Sequence, residues 1–143
     1  MNPSTGCIFC AIADKKTNSH IVYQNHESLA FLDKRPLFKG HTILIPRQHI
    51  SNLNETNTPW EKDFYTTLQI LSKAVENAME SQGTFIAINN KVSQSVPHLH
   101  VHIIPRTKGD GLRGFFWPRI KYSGDSEMHY IAEKIFNSAL NQF

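Results

Sequence analysis

The chain has 143 residues, a formal net charge of +3 and 40% hydrophobic, 19% charged and 10% aromatic residues. This size and composition are typical of one folded domain, and they exclude a disordered or collagen-like chain. The small positive charge suits an anionic ligand but not a surface that coats nucleic acid, so we do not expect nucleic acid as a partner. No leader is visible and no apolar run reaches the roughly 20 residues that span a bilayer, so we expect a cytoplasmic protein without membrane association.

Five short segments have the composition of strands. They are rich in β-branched or aromatic residues and are bounded by Gly, Pro or Asn, at residues 20–24, 28–33, 41–46, 84–90 and 98–105. The strands are not separated from one another by helices in regular alternation. This order predicts an α+β fold with a mostly antiparallel five-stranded sheet, one central helix and one C-terminal helix.

The central helix is predicted to begin at Thr58, with Pro59 at its first position and Glu61 completing a capping box. Its apolar residues recur at three- and four-residue spacing, and Gly83 marks its expected end. The C-terminal helix is predicted over residues 126–140. Its buried face is expected to comprise Met128, Ile131, Ala132, Ile135, Phe136, Ala139 and Leu140.

The most informative segment runs from residue 97 to 106, where polar and apolar residues alternate strictly. On a strand this places His98, His100 and His102 on one face and the intervening apolar residues on the core side. His98 and His102 would then lie about 13 Å apart at the backbone, which is too far for both to bind one metal with His100 between them. The three histidines must therefore divide nucleophilic, proton-donating and metal-binding roles.

The run His-Leu-His-Val-His-Ile-Ile resembles the signature of the histidine triad family of nucleotide hydrolases and transferases. Further matching segments extend the resemblance over about residues 7–106; they are Cys7-Ile8-Phe9-Cys10, Ala30-Phe31-Leu32-Asp33, Gly40-His41-Thr42, Pro46-Arg47-Gln48-His49, Asn89 and Gln94-Ser95-Val96. The resemblance implies the histidine triad fold in a single domain of residues 1–143. Residues 107–143 form a C-terminal extension and helix beyond that common core.

In this family the middle histidine attacks the α-phosphorus of a nucleotide, which maps to His100. Imidazole suits this role because it is largely neutral near pH 7 and its phosphoramidate adduct remains labile to water. The resemblance also implies that the other ring nitrogen of His100 donates to a backbone carbonyl. His102 and Gln94 would donate hydrogen bonds to phosphate oxygens, and Ser95 would reach the leaving group.

The resemblance further implies a purine nucleotide held by residues near the start of the chain. Asp33 would accept hydrogen bonds from the ribose hydroxyls, with a strand-end turn as the alternative explanation for this residue. Ile8, Phe9 and Phe31 would form an apolar slot for the base, although such residues are as often plain core. Asn89 is a candidate phosphate-side or ribose-side contact, for which Asn90 competes.

Cys7-x-x-Cys10 supplies half of a tetrahedral zinc site. A subset of histidine triad proteins completes such a site with two histidines, which map to His49 and His98. Four protein ligands make a closed site, so the zinc would be structural. A redox pair and two free buried cysteines remain the alternatives.

The resemblance implies a hydrolase that cleaves a nucleoside phosphoramidate or a dinucleoside polyphosphate at the α-phosphate and releases a nucleoside monophosphate. It also implies a homodimer. A nucleotidyl transferase or phosphorylase, and a nucleotide-sensing module with vestigial catalysis, remain alternatives. The basic and aromatic stretch after the triad, with Arg113, Arg119 and Phe115 to Trp117, is either a polyphosphate contact or a solvated loop.

Overall fold

The computed structural model describes residues 5–55, 61–112 and 120–142. It contains two compact units, residues 1–110 and 111–143. The predicted helix start at Thr58 and Pro59 lies outside the described residues, as does the basic and aromatic stretch at 113–119.

The first unit contains all five predicted strands. The elements in chain order are α1 (Ile8–Ala13), β1 (Ile21–Gln24), β2 (Ser28–Leu32), β3 (Thr42–Pro46), a 3₁₀ turn (Leu53–Glu55), α2 (Glu61–Ala78), β4 (Gly83–Ala87) and β5 (Val101–Arg106). The strands form one sheet in the order β1-β2-β3-β5-β4, and every neighbouring pair is antiparallel. The predicted α+β class with a five-stranded antiparallel sheet is confirmed.

Both faces of the sheet are covered. On one face Leu44 and Val101 pack with Phe64, Leu71 and other residues of α2 in one apolar cluster. On the other face β2 and β3 pack against α1 in a second cluster, which comprises Phe9, Ile12, Leu29, Phe31, Ile43 and Ile45. All five residues of β3 are therefore buried, which explains its continuous apolar sequence.

The predicted end of the central helix at Gly83 is wrong. Helix α2 ends at Ala78, and Gly83 is the first residue of β4. Glu80 takes the left-handed position after the helix with φ of 50°, and the Glu80 and Ser81 amides donate to the carbonyls of Asn77 and Glu76. This is a Schellman cap in which a glutamate occupies the place where glycine is usual, so a search for glycine could not find it.

The predicted strand at 98–105 begins later in the structure, at Val101. His98 and His100 precede the ladder, because the pairing of β3 with β5 runs only from Thr42 with Ile103 to Leu44 with Val101. The Leu99 amide donates instead to the carbonyl of Ile50. The predicted alternation still holds, since Leu99 and Val101 lie in the cluster with α2. The strand predicted at 84–90 likewise ends earlier, at residue 87.

The second unit contains α3, Asp125–Leu140, one residue longer than predicted. The prediction that this helix has a buried face is wrong for this unit, because none of its residues is buried. Helical periodicity predicts an amphipathic helix but not the layer that covers it, and the described residues of this unit offer no second layer. Within the described part of the chain no helix has the length and apolarity needed to cross a membrane.

The packing of the central strand predicts the effect of a core truncation. Leu44 is fully buried, so Leu44→Ala should lower the free energy of unfolding by about 2–5 kcal/mol through lost burial and a residual cavity. Leu37→Ala is the matched control, because that side chain is 50% exposed. Urea denaturation measures both, and a Leu44→Ala loss no larger than that of Leu37→Ala would contradict this account of the core.

Candidate functional site

A cleft of about 620 Å³ lies on the face of the sheet that carries α1. This volume is within the range of small-molecule sites. Seven residues predicted for nucleotide binding or catalysis line it together: Ile8, Phe9, Phe31, Asp33, Ser95, His100 and His102. Thr17, Ser19, Lys34 and Arg35 also line the cleft and were not predicted.

His100 lies at the wall of the cleft with its ring oriented by the backbone. Its Nδ1–H donates to the carbonyl oxygen of His98 over 2.7 Å, and the edge of the Phe9 ring packs on it at a centroid distance of 5.1 Å. A neutral imidazole that donates from Nδ1 keeps its lone pair on Nε2. Nε2 of His100 is therefore available as a nucleophile.

His102 receives a hydrogen bond from His41, the residue directly before β3. The Leu37 amide donates to Nδ1 of His41 over 3.2 Å, so neutral His41 carries its proton on Nε2. That proton is donated to Nδ1 of His102 over 2.9 Å, which leaves the His102 proton on Nε2. His102 is thereby prepared to donate a hydrogen bond from Nε2.

Burial keeps the rings of His41 and His102 uncharged near neutral pH. Burial is the largest of the causes that together lower the pKa of His102 to about 4; His100 and His41 also lower it, and Asp33 opposes them. Burial also lowers the pKa of His41, against the opposing effect of Asp33. The 3.7 Å approach of Asp33 to His41 Nε2 is therefore a contact of a carboxylate with a neutral ring and not an ion pair.

Asp33 lies directly after β2, where its backbone amide donates to the carbonyl of His41. Its Oδ1 accepts the Arg35 amide over 2.8 Å, a turn contact that fixes the carboxylate. The other oxygen, Oδ2, faces His41. The turn predicted as the alternative for Asp33 is thus present, and the residue also lines the cleft.

Ligand atoms of Asp33, His41 and His102 lie within 4.8 Å of one another, close enough to suggest a metal site. The tautomer of His41 argues against that use. Its Nδ1 accepts the Leu37 amide, so Nε2 keeps a proton and has no lone pair to give. These three residues are therefore not a set of metal ligands: His41 donates to His102, and the Asp33 carboxylate lies 3.7 Å from the same His41 nitrogen.

A second group, Cys7, Cys10, His49 and His98, lies beside α1 with its ligand atoms also within 4.8 Å of one another. Cys10 Sγ lies 3.2 Å from Nδ1 of His49 and 3.5 Å from Nδ1 of His98, and Cys7 Sγ lies 3.5 Å from the same His98 atom. A sulfur and a nitrogen on one tetrahedral zinc stand about 3.6 Å apart. The spacing therefore fits a metal ion in the middle of the group.

The protonation of His98 also fits a ligand role. Its Nε2–H donates to the carbonyl of Pro46 over 2.9 Å, which leaves the lone pair on Nδ1, the atom that faces both sulfurs. Burial lowers the pKa of His98 to about 4 and raises the pKa of Cys10 to about 12. His98 is thus neutral near pH 7, and Cys10 keeps its proton there until a metal displaces it.

Within the described part of the chain, Gln94 and Asn89, both predicted to contact the nucleotide, do not line the cleft. The Gln94 side chain donates to the carbonyl of Ser51 over 2.6 Å and accepts the Lys91 amide over 2.9 Å. Asn89 is half-buried but does not line the cleft, and Asn90 instead bonds Leu53 and Asn54.

Sequence reasoning missed the part played by His41, which it treated as an ordinary strand residue. The signal was the hairpin of β2 and β3, which places the residue before β3 opposite the residue after β2. This register brings His41 beside Asp33, and the pairing of Ile43 with His102 brings it diagonally beside His102.

A family model described as HIT domain matches residues 14–109. The chain is 39% identical over 120 residues to Protein hit of Bacillus subtilis, covering 82% of each chain. It is 32% identical over 94 residues to an asymmetrical bis(5'-nucleosyl)-tetraphosphatase of Schizosaccharomyces pombe, over 64% of this chain and 52% of that protein.

Solved structures show the same fold. A HIT family protein from Bacillus subtilis superposes with a TM-score of 0.82 at 34% identity, covering 92% of this chain and 96% of that one. A zinc-bound histidine triad family protein from Mycobacterium smegmatis gives a TM-score of 0.72 at 28% identity, covering 94% of this chain and 99% of that one.

The lowered pKa of His102 predicts an acid-dependent loss of stability. Below its ordinary pKa of 6.5 the unfolded chain binds a proton that the folded chain does not bind until about pH 4. Stability present above pH 6.5 should thus be lost as the pH falls from 6.5 towards 4. As the pH is lowered from 7.5 to 5, the urea concentration at the midpoint of unfolding should fall further for the wild type than for His102→Gln.

His26→Gln is the control, because the His26 side chain is 95% exposed. It should follow the wild type across the same pH range. Equal slopes for the wild type and His102→Gln would show that His102 is not held neutral by burial.

Proposed function

This chain belongs to the histidine triad (HIT) family, and from that premise we propose that it is a nucleotide hydrolase. Its substrate is a nucleoside phosphoramidate or a dinucleoside polyphosphate, cleaved at the α-phosphate to release a nucleoside monophosphate. The observation that carries the proposal is the 2.7 Å hydrogen bond from His100 Nδ1–H to the carbonyl of His98, which leaves Nε2 unprotonated at the cleft wall. The name of the Schizosaccharomyces pombe relative supports this class of reaction.

In the first step Nε2 of His100 attacks the α-phosphorus and forms a phosphorus–nitrogen bond, while the bond from phosphorus to the leaving group breaks. Nε2–H of His102 donates to a phosphate oxygen and stabilises the charge that develops there. Ser95, which lines the cleft, donates a hydrogen bond to the leaving group. A polyphosphate leaves as its anion, and the nitrogen of a phosphoramidate takes a proton from the medium and leaves as an amine.

In the second step water attacks the same phosphorus, the bond to His100 Nε2 breaks, and the nucleoside monophosphate leaves. The proton lost by the water passes to the medium, and Nε2 regains its lone pair. His41 acts as a positioning residue in both steps, because its hydrogen bond keeps the His102 proton on the nitrogen that faces the phosphate.

The nucleotide is a purine nucleotide with its base against Ile8, Phe9 and Phe31 and its ribose on Asp33. The Phe9 and Phe31 rings also pack on each other at 5.4 Å, so these residues serve the core and the slot at once. Asn89 and Gln94 remain proposed phosphate-side contacts. Gln94 must exchange the Ser51 carbonyl for a phosphate oxygen to act there.

The cysteine and histidine cluster holds a structural zinc ion in this proposal. The sulfur–nitrogen distances, the His98 tautomer and the zinc-bound relative from Mycobacterium smegmatis support it. Bound zinc would link α1 to the segment before β5 through its protein ligands. Because the His98 ring would be one of these ligands, the backbone carbonyl of His98 would be held in place for His100.

We also propose that residues 1–143 act as one domain in a cytoplasmic homodimer. Exposed apolar side chains on α2 and β4, including Tyr65, Ile70 and Ile86, offer a surface for a second copy. The two free cysteines suit a reducing compartment.

Removal of the nucleophile tests the proposal. His100→Ala should lower release of AMP from adenosine 5′-phosphoramidate and from diadenosine tetraphosphate at least about a thousandfold, because the covalent step is lost. His26→Ala is the matched control, with an exposed histidine far from the cleft lining. Wild-type turnover in a folded His100→Ala variant would overturn the mechanism, and no turnover by the wild type would overturn the hydrolase assignment.

Metal analysis tests the zinc assignment. The purified chain should hold about one zinc ion, and Cys10→Ser should lower both the zinc content and the melting temperature, the latter by at least about 5 °C. His20→Asn, an exposed histidine outside the cluster, should change neither. A zinc content near zero in protein purified without chelator would contradict the assignment.

A further inference from the structure

Two cations stand at the mouth of the cleft without an assigned role. Lys34 and Arg35 follow Asp33 directly, are exposed, and line the cleft. Lys16 and Arg106 are paired with carboxylates, but within residues 5–55, 61–112 and 120–142 no ion pair involves Lys34 or Arg35. Their charges are therefore available to a ligand.

A backbone turn places Lys34 and Arg35 next to Asp33. The Arg35 amide donates to Asp33 Oδ1 over 2.8 Å, so the chain turns tightly from the carboxylate to the two basic residues. Among the described residues that line the cleft, Asp33 is the only acidic one. The local charge at this end of the cleft is thus +1 even with Asp33 ionised.

The sheet register places this end of the cleft two strands away from β5. Phe31 pairs with Ile43, and Ile43 pairs with His102. Neighbouring strands are about 4.8 Å apart, so β2 lies about 10 Å from β5 at the backbone. The Asp33 carboxylate reaches to within 4.8 Å of a ring nitrogen of His102, whereas the backbone of Lys34 and Arg35 continues past the end of β2.

A carboxylate with adjacent cations matches the chemistry of a phosphorylated ribose. Nucleotide sites read this part of a ligand either with an acidic side chain that accepts from a ribose hydroxyl or with an arginine that accommodates a phosphate on that ribose, and this cleft is lined by both kinds of residue. Arginine and lysine are donors only, and their hydrogen bonds to phosphate are charge-assisted. Asp33 can accept from one free hydroxyl while the cations bind a phosphate on the other.

We propose that Lys34 and Arg35 form a subsite for a phosphate group on the 2′ or 3′ oxygen of the ribose. The preferred substrate class is then a 5′-linked nucleotide whose ribose carries this additional phosphate. The inference rests on the proposed function, since it requires a nucleotide in the cleft with its ribose on Asp33.

Calorimetric binding of three ligands to the zinc-loaded protein tests the subsite: AMP, adenosine 2′,5′-bisphosphate and adenosine 3′,5′-bisphosphate. At low ionic strength at least one bisphosphate should bind about tenfold more tightly than AMP, the gain expected of a charge-assisted hydrogen bond. Whichever bisphosphate binds more tightly identifies the ribose oxygen. The ratio of its Kd to that of AMP should approach one in the double variant Lys34→Met with Arg35→Met.

The matched control is Lys39→Met with Lys62→Met, which removes the same charge from exposed positions outside the cleft lining. It should keep the wild-type ratio. Melting temperatures of both double variants establish that they are folded, and the single variants Lys34→Met and Arg35→Met show how the two residues share the effect.

The outcomes separate the subsite from the hydrolase. Equal Kd values for AMP and both bisphosphates would overturn the subsite alone, as would an advantage that survives in the Lys34→Met and Arg35→Met protein. A raised KM for diadenosine tetraphosphate in that protein, with no bisphosphate advantage in the wild type, would assign the cations to the polyphosphate chain instead. No binding of any of the three ligands would overturn both proposals, whereas tight bisphosphate binding without turnover would leave the subsite and remove the hydrolase.

Discussion

The site depends on one backbone hydrogen bond, from Nδ1–H of His100 to the carbonyl of His98. This bond fixes which nitrogen of His100 carries the lone pair, and it ties that nitrogen to the residue whose ring faces the two cysteines. His98 in turn is held by the carbonyl of Pro46 at the end of β3. A change in the backbone near His98 therefore reaches the cysteine cluster and the cleft at the same time.

Main-chain groups determine the tautomer of each important histidine. The carbonyl of Pro46 leaves the lone pair of His98 on Nδ1, and the carbonyl of His98 leaves that of His100 on Nε2. The Leu37 amide fixes His41, which fixes His102. His98 thus presents a lone pair to sulfur, His100 presents a lone pair to the cleft, and His102 presents an N–H to the cleft. Chemically identical rings differ in this way because the surrounding backbone offers a carbonyl at some positions and an amide at another.

Much of the fold was predictable because its signals are local. Strict alternation around His100 identified the face of each histidine, and the five strands follow from short β-branched segments. What could not be predicted depends on contacts made elsewhere in the chain. Helix α1 has only six residues and no side-chain cap, and the end of α2 relies on a left-handed Glu80.

The site residues divide in the same way. The cysteine pair and the histidine row were predictable from spacing. The structure brings Cys7 and Cys10 together with His98 of that row, while His100 and His102 line the cleft. The role of His41 arises only from strand register, and the direction of Gln94 is decided by the carbonyl of Ser51 in a distant loop. Helix α3 shows the opposite case. Its apolar periodicity is visible in the sequence, but periodicity does not determine what covers the apolar face, and none of the residues of α3 is buried.

The strand order also has a consequence for the time course of folding. Three residues join β1 to β2 and nine join β2 to β3, whereas β3 pairs with β5 across a long stretch of chain, as in the contact of Thr42 with Ile103. Closing so long a stretch of chain is entropically costly, and pairings of this kind slow folding. His102 lies on β5, and His98 and His100 directly precede that strand, so the histidine row takes its place in the sheet only when β5 pairs with β3.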